Sequence, residues 1–392
     1  MKRTNGKIDF ILFGEGNYNT LGVLHCMAER GIGVFLLLVG SGKKCLKGNI
    51  IEYSRFARYG HIVQTEQEGL EWILANISNF PKGTVIYPTS DVAESLLDIN
   101  YDTVIKHYNF PNCKANGEVT RLMEKCTQFS QASSYGVRIL CSQYTHNTDF
   151  NSNTVSYPCM VKPLKSITGS KGDMQVCHNQ EELNEALSTA KHTSEFIVQQ
   201  YINNEADLLF LGVSLSDGNI WIPSLVKKPG VSSTGEYTHA VVTTAVAEHL
   251  PELESVKQFI ASLNYEGPFS IEFGLENDKN YFFEINLRND GTSHYALASG
   301  VNIPYVYYRA CKGTLTANDM VYTQSEYPMI DEVLDIRRVL SREISFGNWW
   351  REFRTAKAYR YYSPSDKRIA IALLPMFFSR LSSKIWRIFN KK

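Results

Sequence analysis

The chain has 392 residues with 40 Lys+Arg and 40 Asp+Glu, so its formal net charge is zero. Its 43% hydrophobic and 20% charged residues are typical of a globular protein and argue against a disordered or polytopic membrane protein. The charges are unevenly distributed along the chain. Residues 1–336 carry 26 Lys+Arg and 37 Asp+Glu, whereas residues 337–392 carry 14 Lys+Arg and 3 Asp+Glu. The net charge therefore does not exclude an anionic partner of the C-terminal part.

The cysteines and apolar runs predict the compartment. None of the eight cysteines forms a CxxC pair, which argues against a zinc site and favours free thiols in a reducing compartment. The run Ile8 to Phe13 is too short for an export signal, and Pro375 interrupts the C-terminal run from Ile369 to Phe378. We expect a cytoplasmic protein without a membrane span.

The first hundred residues alternate between strand and helix patterns. In chain order, apolar runs and helical periodicity predict β, α, β, α, β and α elements: Asp9–Phe13, Tyr18–Arg30, Val34–Val39, Glu68–Ile77, Thr84–Tyr87 and Asp91–Ile99. This alternation is typical of a parallel sheet that binds ligands at the C-terminal ends of its strands. The turn Gly14-Glu15-Gly16-Asn17 lacks the third glycine of a dinucleotide fingerprint, which disfavours dinucleotide binding.

From Pro111 onward the pattern changes to α+β. Periodicity predicts helices at Val119–Tyr135 and Leu253–Leu263. Alternating or β-branched apolar residues predict strands in seven places: Cys159–Lys162, Met174–Val176, Phe196–Gln200, Leu208–Ser214, Trp221–Lys227, Phe269–Leu275 and Asn280–Asn286. The turn Glu276-Asn277-Asp278-Lys279 would join the last two as a hairpin.

This predicted hairpin carries the strongest chemical signal. Glu284 and Asn286 lie two residues apart and share a face, and Glu272 can lie opposite them on the other strand. Two carboxylates and an amide oxygen at one point suit a hard cation such as Mg²⁺. Arg288, two residues further on, would reach an anion held by the metal. A solvated strand face is the alternative, but it does not explain the alternation of Glu, Asn and Arg with apolar residues.

A second signal is the segment Tyr157–Pro163 with the Gly/Ser/Thr-rich residues 166–173 after it. A lysine at the end of a buried strand, here Lys162, and backbone N–H groups of such a loop can bind a polyphosphate. The loop does not match the Walker A pattern, and a plain hairpin turn is the alternative.

These segments, with the Lys125 helix, together resemble the ATP-grasp superfamily and, more closely, its carboxylate–amine ligases, over roughly residues 8–310. The resemblance implies a combined α/β and α+β architecture, the ATP-grasp fold. A Rossmann-like pre-ATP-grasp domain would span 1–112, and two ATP-grasp subdomains would span 113–195 and 196–325. A basic, partly amphipathic helical region would follow at 326–392.

The resemblance also implies roles for individual residues. Lys162 and Arg288 would be catalytic, and Glu272, Glu284 and Asn286 would bind Mg²⁺, or Mn²⁺ in its place. The ATP-binding set would comprise two lysines, a loop over the phosphates, a hinge beside the adenine and a ribose ligand: Lys125, Lys162, Thr168, Gly169, Ser170, Gly172, Gln199, Gln200, Tyr201, Ile202, and Glu205 or Asp207. Glutamine replaces the usual hinge glutamate, and Asn204 a usual glycine, so the ribose ligand is open between those two acids.

The family implies an ATP-dependent ligase that joins a carboxylate to an amine, expected to be an amino acid, through an acyl phosphate. Similarity to D-aspartate ligase-like amino-acid ligases suggests a membrane-linked envelope precursor or glycopolymer as one acceptor. A carboxylase or purine-type enzyme of small soluble metabolites is the alternative within the family. An inactive nucleotide-binding scaffold is another, which the intact acidic set disfavours.

Several residues are weaker candidates for the acceptor side. They are Lys227 and Lys228 at a strand end, His239, and His294, although a structural role is the simpler interpretation of each histidine. Ser90 and Asp91 could bind the substrate amine or cap a helix.

Residues 367–392 hold seven Lys+Arg and no acid. At 100° per residue, apolar and basic side chains fall on adjacent arcs of one helix: Phe377, Leu381, Ile385 and Ile388, and Arg380, Lys384, Arg387 and Lys391. This pattern predicts peripheral docking on the anionic inner face of the cell membrane, with packing on the acidic body as the alternative. We expect no nucleic-acid partner, and a homodimer is one option for the oligomeric state.

Overall fold

The computed structural model describes residues 8–40, 50–146, 155–164, 174–189, 193–229 and 237–374. Within them the chain forms three sheets of five, four and seven strands. No helix in these ranges is long and apolar enough to cross a bilayer.

A parallel five-stranded sheet of order β3-β2-β1-β4-β5 forms the N-terminal part. Its strands are β1 (Phe10–Glu15), β2 (Phe35–Val39), β3 (Tyr59–Val63), β4 (Thr84–Pro88) and β5 (Tyr108–Asn109). The helices between them are α1 (Tyr18–Glu29), α2 (Glu66–Ala75), α3 (Asp91–Ile99) and α4 (Tyr101–Val104). The predicted elements are all present. Strand β3 was not predicted, because only its last residue is buried and no apolar run marks it.

The loops after β1 and β4 lie side by side at one edge of this sheet. Asn17 caps α1 by accepting from the backbone of Asn19, and Ser90 caps α3 by accepting from Ala93. Gly14 passes so close to Thr89 that a Cβ at position 14 would lie 2.1 Å from the threonine hydroxyl. The glycine of this turn thus permits a close approach of the two loops.

The predicted single helix Val119–Tyr135 is two helices, α5 (Glu118–Leu122) and α6 (Lys125–Ser134). The break occurs because Glu124 adopts an extended backbone, with φ −76° and ψ 124°. This correction matters, since it places Lys125 at the start of α6.

An antiparallel four-stranded sheet of order β6-β9-β7-β8 follows. Its elements are β6 (Ser142–His146), β7 (Cys159–Pro163), β8 (Gln175–Cys177), α7 (Gln180–Thr189) and β9 (Glu195–Gln200). Apolar residues of β7, β9 and α7 pack together in a small core, which buries Cys159, Leu183 and Phe196.

The largest sheet has the order β14-β13-β10-β11-β12-β15-β16. Its strands are β10 (Ala206–Ser214), β11 (Ile220–Pro229), β12 (His239–Thr243), β13 (Gly267–Glu276), β14 (Lys279–Asn286), β15 (Glu326–Ile330) and β16 (Ala358–Tyr359). The helices are α8 (Val246–His249), α9 (Leu253–Ser262), α10 (Ile303–Cys311), α11 (Ile336–Leu340) and α12 (Phe346–Thr355), and residues 367–374 are also helical. The C-terminal region thus adds strands as well as the predicted helices. The three boundaries between the four predicted domains stay predictions.

One face of the β13–β14 hairpin packs in an aromatic core. The Phe282 ring lies 5.6 Å from that of Phe129 on α6 and 5.7 Å from that of Phe259 on α9. Phe210 and Phe273 meet edge to face at 5.8 Å in the same core. The polar residues of these strands therefore lie on the opposite face.

Candidate active site

The β13–β14 hairpin places its two acidic residues side by side. Asn277 and Asp278 have φ of 50° and 57°, which gives the tight two-residue turn suited to a twisted hairpin. Glu272 then pairs with Glu284 in the register, and Ser270 pairs with Asn286. Their side chains are partly buried, with Glu272 20% and Glu284 26% exposed.

A bulge at Phe283 sets this arrangement. The register shifts by one residue there, so that Phe273 pairs with Phe282 while Glu272 pairs with Glu284. Strict alternation would have placed Phe282 on the acidic face, but the bulge turns it into the aromatic core. Phe283 instead lies over Gly274, where a Cβ would come within 2.2 Å of its ring. The bulge was not visible in the sequence pattern.

Each carboxylate binds a lysine from another element. Lys125 Nζ lies 2.9 Å from Glu284 Oε2, and Lys228 Nζ lies 2.9 Å from Glu272 Oε1. Burial raises the pKa of Glu284, but Lys125, Lys162 and Arg288 outweigh it and lower the pKa to about 2. Glu284 is thus ionised at neutral pH. Burial lowers the pKa of Lys228, but Glu272 together with Tyr237 and Asp290 outweighs this effect and raises it.

Lys162 lies on β7 of the small sheet and faces the same site. Its side chain is buried, and its Nζ is 5.5 Å from the centre of the Phe283 ring. Burial, and then the neighbouring Lys125, lower the pKa of Lys162 to about 7, although Glu284 and Glu272 oppose this shift. An anion that binds beside Lys162 would raise this pKa again, because it stabilises the protonated ammonium. The site around Lys162 therefore favours an anionic ligand.

Arg288, which follows β14 of the seven-stranded sheet, joins that sheet to the N-terminal domain. Its Nε and Nη2 both donate to the Asp91 carboxylate, the latter at 3.3 Å, and its Nη1 donates to the Asn289 carbonyl at 3.1 Å. Burial lowers the pKa of Arg288, but Asp91, with Asp290 and Glu284, outweighs this effect and raises it. Ser90 is the α3 cap, so the structure assigns it that role and places Asp91 in the cleft.

Gln128 of α6 holds the edge strand that carries the acids. Its side chain accepts from the Ile285 N–H at 3.0 Å and donates to the Ile285 carbonyl at 2.9 Å. Strand β14 is the outer strand of its sheet, so these backbone groups have no neighbouring strand on that side. Gln128 therefore fixes the position of Glu284 and Asn286, a role that the sequence did not indicate.

The two candidate ribose ligands lie in different places. Asp207 pairs with Lys228 and Gly274 in the register and therefore lies on the acidic face. Burial raises the pKa of Glu272, and the Asp207 charge adds to the increase. Glu205 is exposed and accepts from the Asn277 N–H at 2.9 Å.

The predicted hinge connects the small sheet to the large one. Gln199 is buried and donates to the Ser142 hydroxyl at 3.0 Å, whereas the Gln200 side chain is exposed. The Tyr201 N–H donates to the Pro158 carbonyl at 3.2 Å, and Ile202 is buried beside Gly274. The predicted loop residues Thr168, Gly169, Ser170 and Gly172 lie outside the described residues.

Of the weaker lysine and histidine candidates, Lys228 lies beside the acids. Lys227 is adjacent in sequence and points to the other face of β11, while His239 lies 3.7 Å from the buried Asp335. The sequence did not indicate a contact of Arg360 with two tyrosines from distant parts of the chain. Its guanidinium lies 5.0 Å from the centre of the Tyr18 ring and 5.4 Å from that of Tyr237. These groups are far apart along the chain, so no local pattern signals their contact.

His294 is a buried structural histidine and gives a pH-dependent prediction. Its Nε2 lies 3.2 Å from the Tyr359 carbonyl, and its Nδ1 has no hydrogen-bond partner among the described residues. Burial, and then His25, lower the pKa of His294 to about 4. Because an unfolded histidine titrates near 6.5, the unfolded state gains its proton first, and the free energy of unfolding falls by about 3 kcal/mol between pH 6.5 and 4.

Urea unfolding at pH 7 and pH 4 measures this loss. We expect His294→Gln to lose about 3 kcal/mol less than the unmutated protein between these pH values. His61→Gln, at an exposed position, is the control and keeps the original loss. An equal loss in His294→Gln would contradict the assignment.

Comparison with known proteins identifies the fold around this site. Residues 138–302 match the family model of the ATP-grasp domain, a range that includes Lys162, Lys228, both acids, Asn286 and Arg288. The chain contains an ATP-grasp domain. The predicted fold class is confirmed: an ATP-grasp fold with a parallel α/β sheet at its N-terminal side.

The curated sequence relatives of this chain are much longer than it is. The large chain of carbamoyl phosphate synthase from Saccharolobus solfataricus is 28% identical over 160 residues, which are 38% of this chain and 15% of that protein. This chain therefore matches only a small share of that relative's length.

Solved structures extend the likeness to most of the chain. An N5-carboxyaminoimidazole synthetase from Staphylococcus aureus has a TM-score of 0.66 at 16% identity and covers 89% of this chain and 88% of its own. An L-amino acid ligase from Bacillus licheniformis has a TM-score of 0.61 at 14% identity and covers 81% and 77%. Both show that the shared fold extends well beyond residues 138–302.

Proposed function

We propose that this chain is an ATP- and Mg²⁺-dependent ligase that activates a carboxylate as an acyl phosphate and transfers the acyl group to an amine. The observation that carries the proposal is the Glu272–Glu284 pair with four cationic side chains around it. Those cations are Lys125, Lys162, Lys228 and Arg288. Such a concentration of charge suits ATP phosphates and the charge that develops during phosphoryl transfer.

The donor set fits Mg²⁺. Two carboxylates and the Asn286 amide are hard oxygen donors, and Mg²⁺ takes few protein ligands because it keeps waters and substrate phosphates. The described residues contain no group of three or more His, Cys, Asp or Glu that could hold a metal, so a cage made only of such groups does not occur in them. When bound, Mg²⁺ would supply positive charge between these carboxylates and the phosphate oxygens. Mn²⁺ accepts the same donors and stays an alternative.

The lysines would change partners when the nucleotide binds. Lys125 and Lys228 now neutralise Glu284 and Glu272, and a polyphosphate would compete for the same ammonium groups. Lys162, whose pKa is lowered to about 7 by burial and by Lys125, would gain an anionic partner. We propose Asp207 rather than Glu205 as the ribose ligand, since only Asp207 lies on the face of Glu272.

The chemistry needs position and charge rather than a protein nucleophile. A substrate carboxylate oxygen attacks the terminal phosphorus of ATP, the bond to the β-phosphate oxygen breaks, and ADP leaves. An amine then attacks the acyl phosphate, and amide, phosphate and a proton are released. Arg288, fixed in the cleft by Asp91, would stabilise the transferring phosphoryl group.

The amine is proposed to be an amino acid. The name of the L-amino acid ligase supports this class, whereas the N5-carboxyaminoimidazole synthetase and carbamoyl phosphate synthase favour the alternative of small soluble metabolites. A membrane-linked acceptor stays a prediction from the basic segment 367–392. The structure describes residues 367–374 of it, where Lys367 and Arg368 are exposed on a helix.

Hydroxylamine provides a test that does not require the natural amine. The purified protein is incubated with ATP, Mg²⁺, hydroxylamine and one carboxylate at a time from a panel of amino acids and small metabolic acids. We expect ADP and a hydroxamate in equal amounts with the true carboxylate, and neither product when Mg²⁺ is chelated. ADP release without hydroxamate from every carboxylate would contradict the acyl-phosphate route. A failure to bind ATP at all would refute the enzyme assignment.

A further inference from the structure

Helix α12 (Phe346–Thr355) is fixed to the protein on one side. Trp349 is buried, and its indole N–H donates to the Asp335 carboxylate at 3.1 Å. Ser345 caps the helix by accepting from the Asn348 N–H at 3.3 Å, and Glu352 binds Arg338 at 2.8 Å. The helix is therefore ordered by contacts within this chain.

The remaining aromatic side chains of α12 form a stacked surface stripe of Phe346, Trp350 and Phe353. Phe346 is 60% exposed and Trp350 is 47% exposed. The Phe346 and Trp350 rings stack at 6.5 Å with 10° between their planes, and Trp350 and Phe353 stack at 5.8 Å with 5°. Single exposed apolar residues are ordinary, but adjacent stacked rings form an apolar patch that marks an interaction site.

Positive charge lies along this aromatic stripe. Arg351 and Arg354 of the same helix are exposed, as is Arg342 just before it. The nearby acids Glu343 and Glu352 both bind Arg338, at 3.0 Å and 2.8 Å, and the three exposed arginines outnumber these two acids. The surface therefore combines aromatic rings with excess basic charge.

We propose that α12 is an interfacial helix, by which the protein docks on an anionic lipid bilayer. Indole and phenyl rings are favoured at the boundary between headgroups and acyl chains, where a ring is apolar and its N–H remains in water. Arginines on the same helix bind headgroup phosphates. A helix of 10 residues is far too short to span the bilayer, so it would lie in the plane of the surface.

Charge also argues against two other groups that could cover this stripe, namely a second copy of the chain and the chain's own C-terminal residues. In a symmetric dimer the same face meets itself, so Arg351 and Arg354 would approach their own copies. The chain after residue 374 is basic as well and would be repelled. An anionic lipid surface satisfies both the rings and the arginines.

Vesicle co-sedimentation tests the proposal with the full chain and without ATP, so its result does not depend on the proposed function. The vesicles are phosphatidylcholine alone or with about one-third phosphatidylglycerol. We expect binding to the anionic vesicles only, and weaker binding as salt rises. Phe346→Ser/Trp350→Ser should lower the affinity at least ten-fold. Arg351→Gln/Arg354→Gln should lower it about 30-fold, since each basic residue contributes about 1 kcal/mol.

Val321→Ser/Tyr322→Ser is the matched control, because these residues are 67% and 37% exposed and lie outside α12. It should bind as the unmutated protein does, and thermal unfolding followed by circular dichroism verifies that all variants are folded. No binding to anionic vesicles would overturn the proposal. Undiminished binding of the α12 variants would assign docking to residues 375–392 instead. If the protein forms a dimer without lipid and the α12 substitutions dissociate it, the stripe is assigned to a second copy of the chain. Each of these three results would overturn the proposal.

Discussion

Glu284→Gln is expected to lower Mg²⁺-dependent ATP turnover by about 10²–10³-fold. The change keeps the size of the side chain and removes the charge that pairs with Lys125 at 2.9 Å and faces Glu272 across the hairpin. A neutral amide binds a divalent cation and orders the lysine less well than a carboxylate does. Steady-state ADP release at saturating ATP measures the loss.

Asp278→Asn is the control for this variant. It makes the same chemical change on the same hairpin, at an exposed turn residue whose positive φ asparagine tolerates. We expect its turnover to stay within two-fold of the unmutated protein. Equal activity of the Glu284 and Asp278 variants would show that the metal assignment is wrong, whereas loss of folding in either would appear in its unfolding curve.

Arg288→Lys is expected to reduce kcat by about 10²–10³-fold with little change in the KM for ATP. Lysine keeps the charge but lacks the planar fork that binds both oxygens of Asp91 and donates to the Asn289 carbonyl. The charge would remain near the cleft, but not at the position where the phosphoryl group transfers. Initial rates over a range of ATP concentrations separate kcat from KM.

The matched control is Arg309→Lys, at an arginine that pairs with Asp319 at 3.5 Å outside the site. Its kinetic constants should not change. If Arg288→Lys raises KM and leaves kcat intact, Arg288 binds the ground state of ATP and does not act on the transferring group.

Local sequence patterns accounted for a large part of the fold and for the acidic hairpin. Strands β13 and β14 and their turn follow from alternating apolar residues around Asn277-Asp278, a pair that accepts the positive φ of a tight turn. The first sheet follows from short apolar runs between helix caps such as Asn17 and Ser90. These signals depend on neighbours within a few residues and are therefore readable in a single sequence.

Signals that depend on packing were missed. Strand β3 lacks an apolar run, and the break at Glu124 depends on a single backbone angle. The bulge at Phe283 adds one residue to β14 without changing its composition, so strict alternation would have put Phe282 on the wrong face. Gln128 resembles any polar helix residue until its contact with Ile285 is known.

The sequence by itself determined which side chains are candidates for the site, because Glu284 and Asn286 lie two residues apart on one strand and the tight turn pairs that strand with the one that carries Glu272. The bulge at Phe283 then brings Glu272 and Glu284 to the same face. Only the tertiary structure decided which cation meets which acid. Lys125 binds Glu284 across 159 residues, and Arg288 binds Asp91 across 197. Contacts over such separations depend on how three sheets pack, and that packing reflects the shape and burial of the whole chain rather than any short segment.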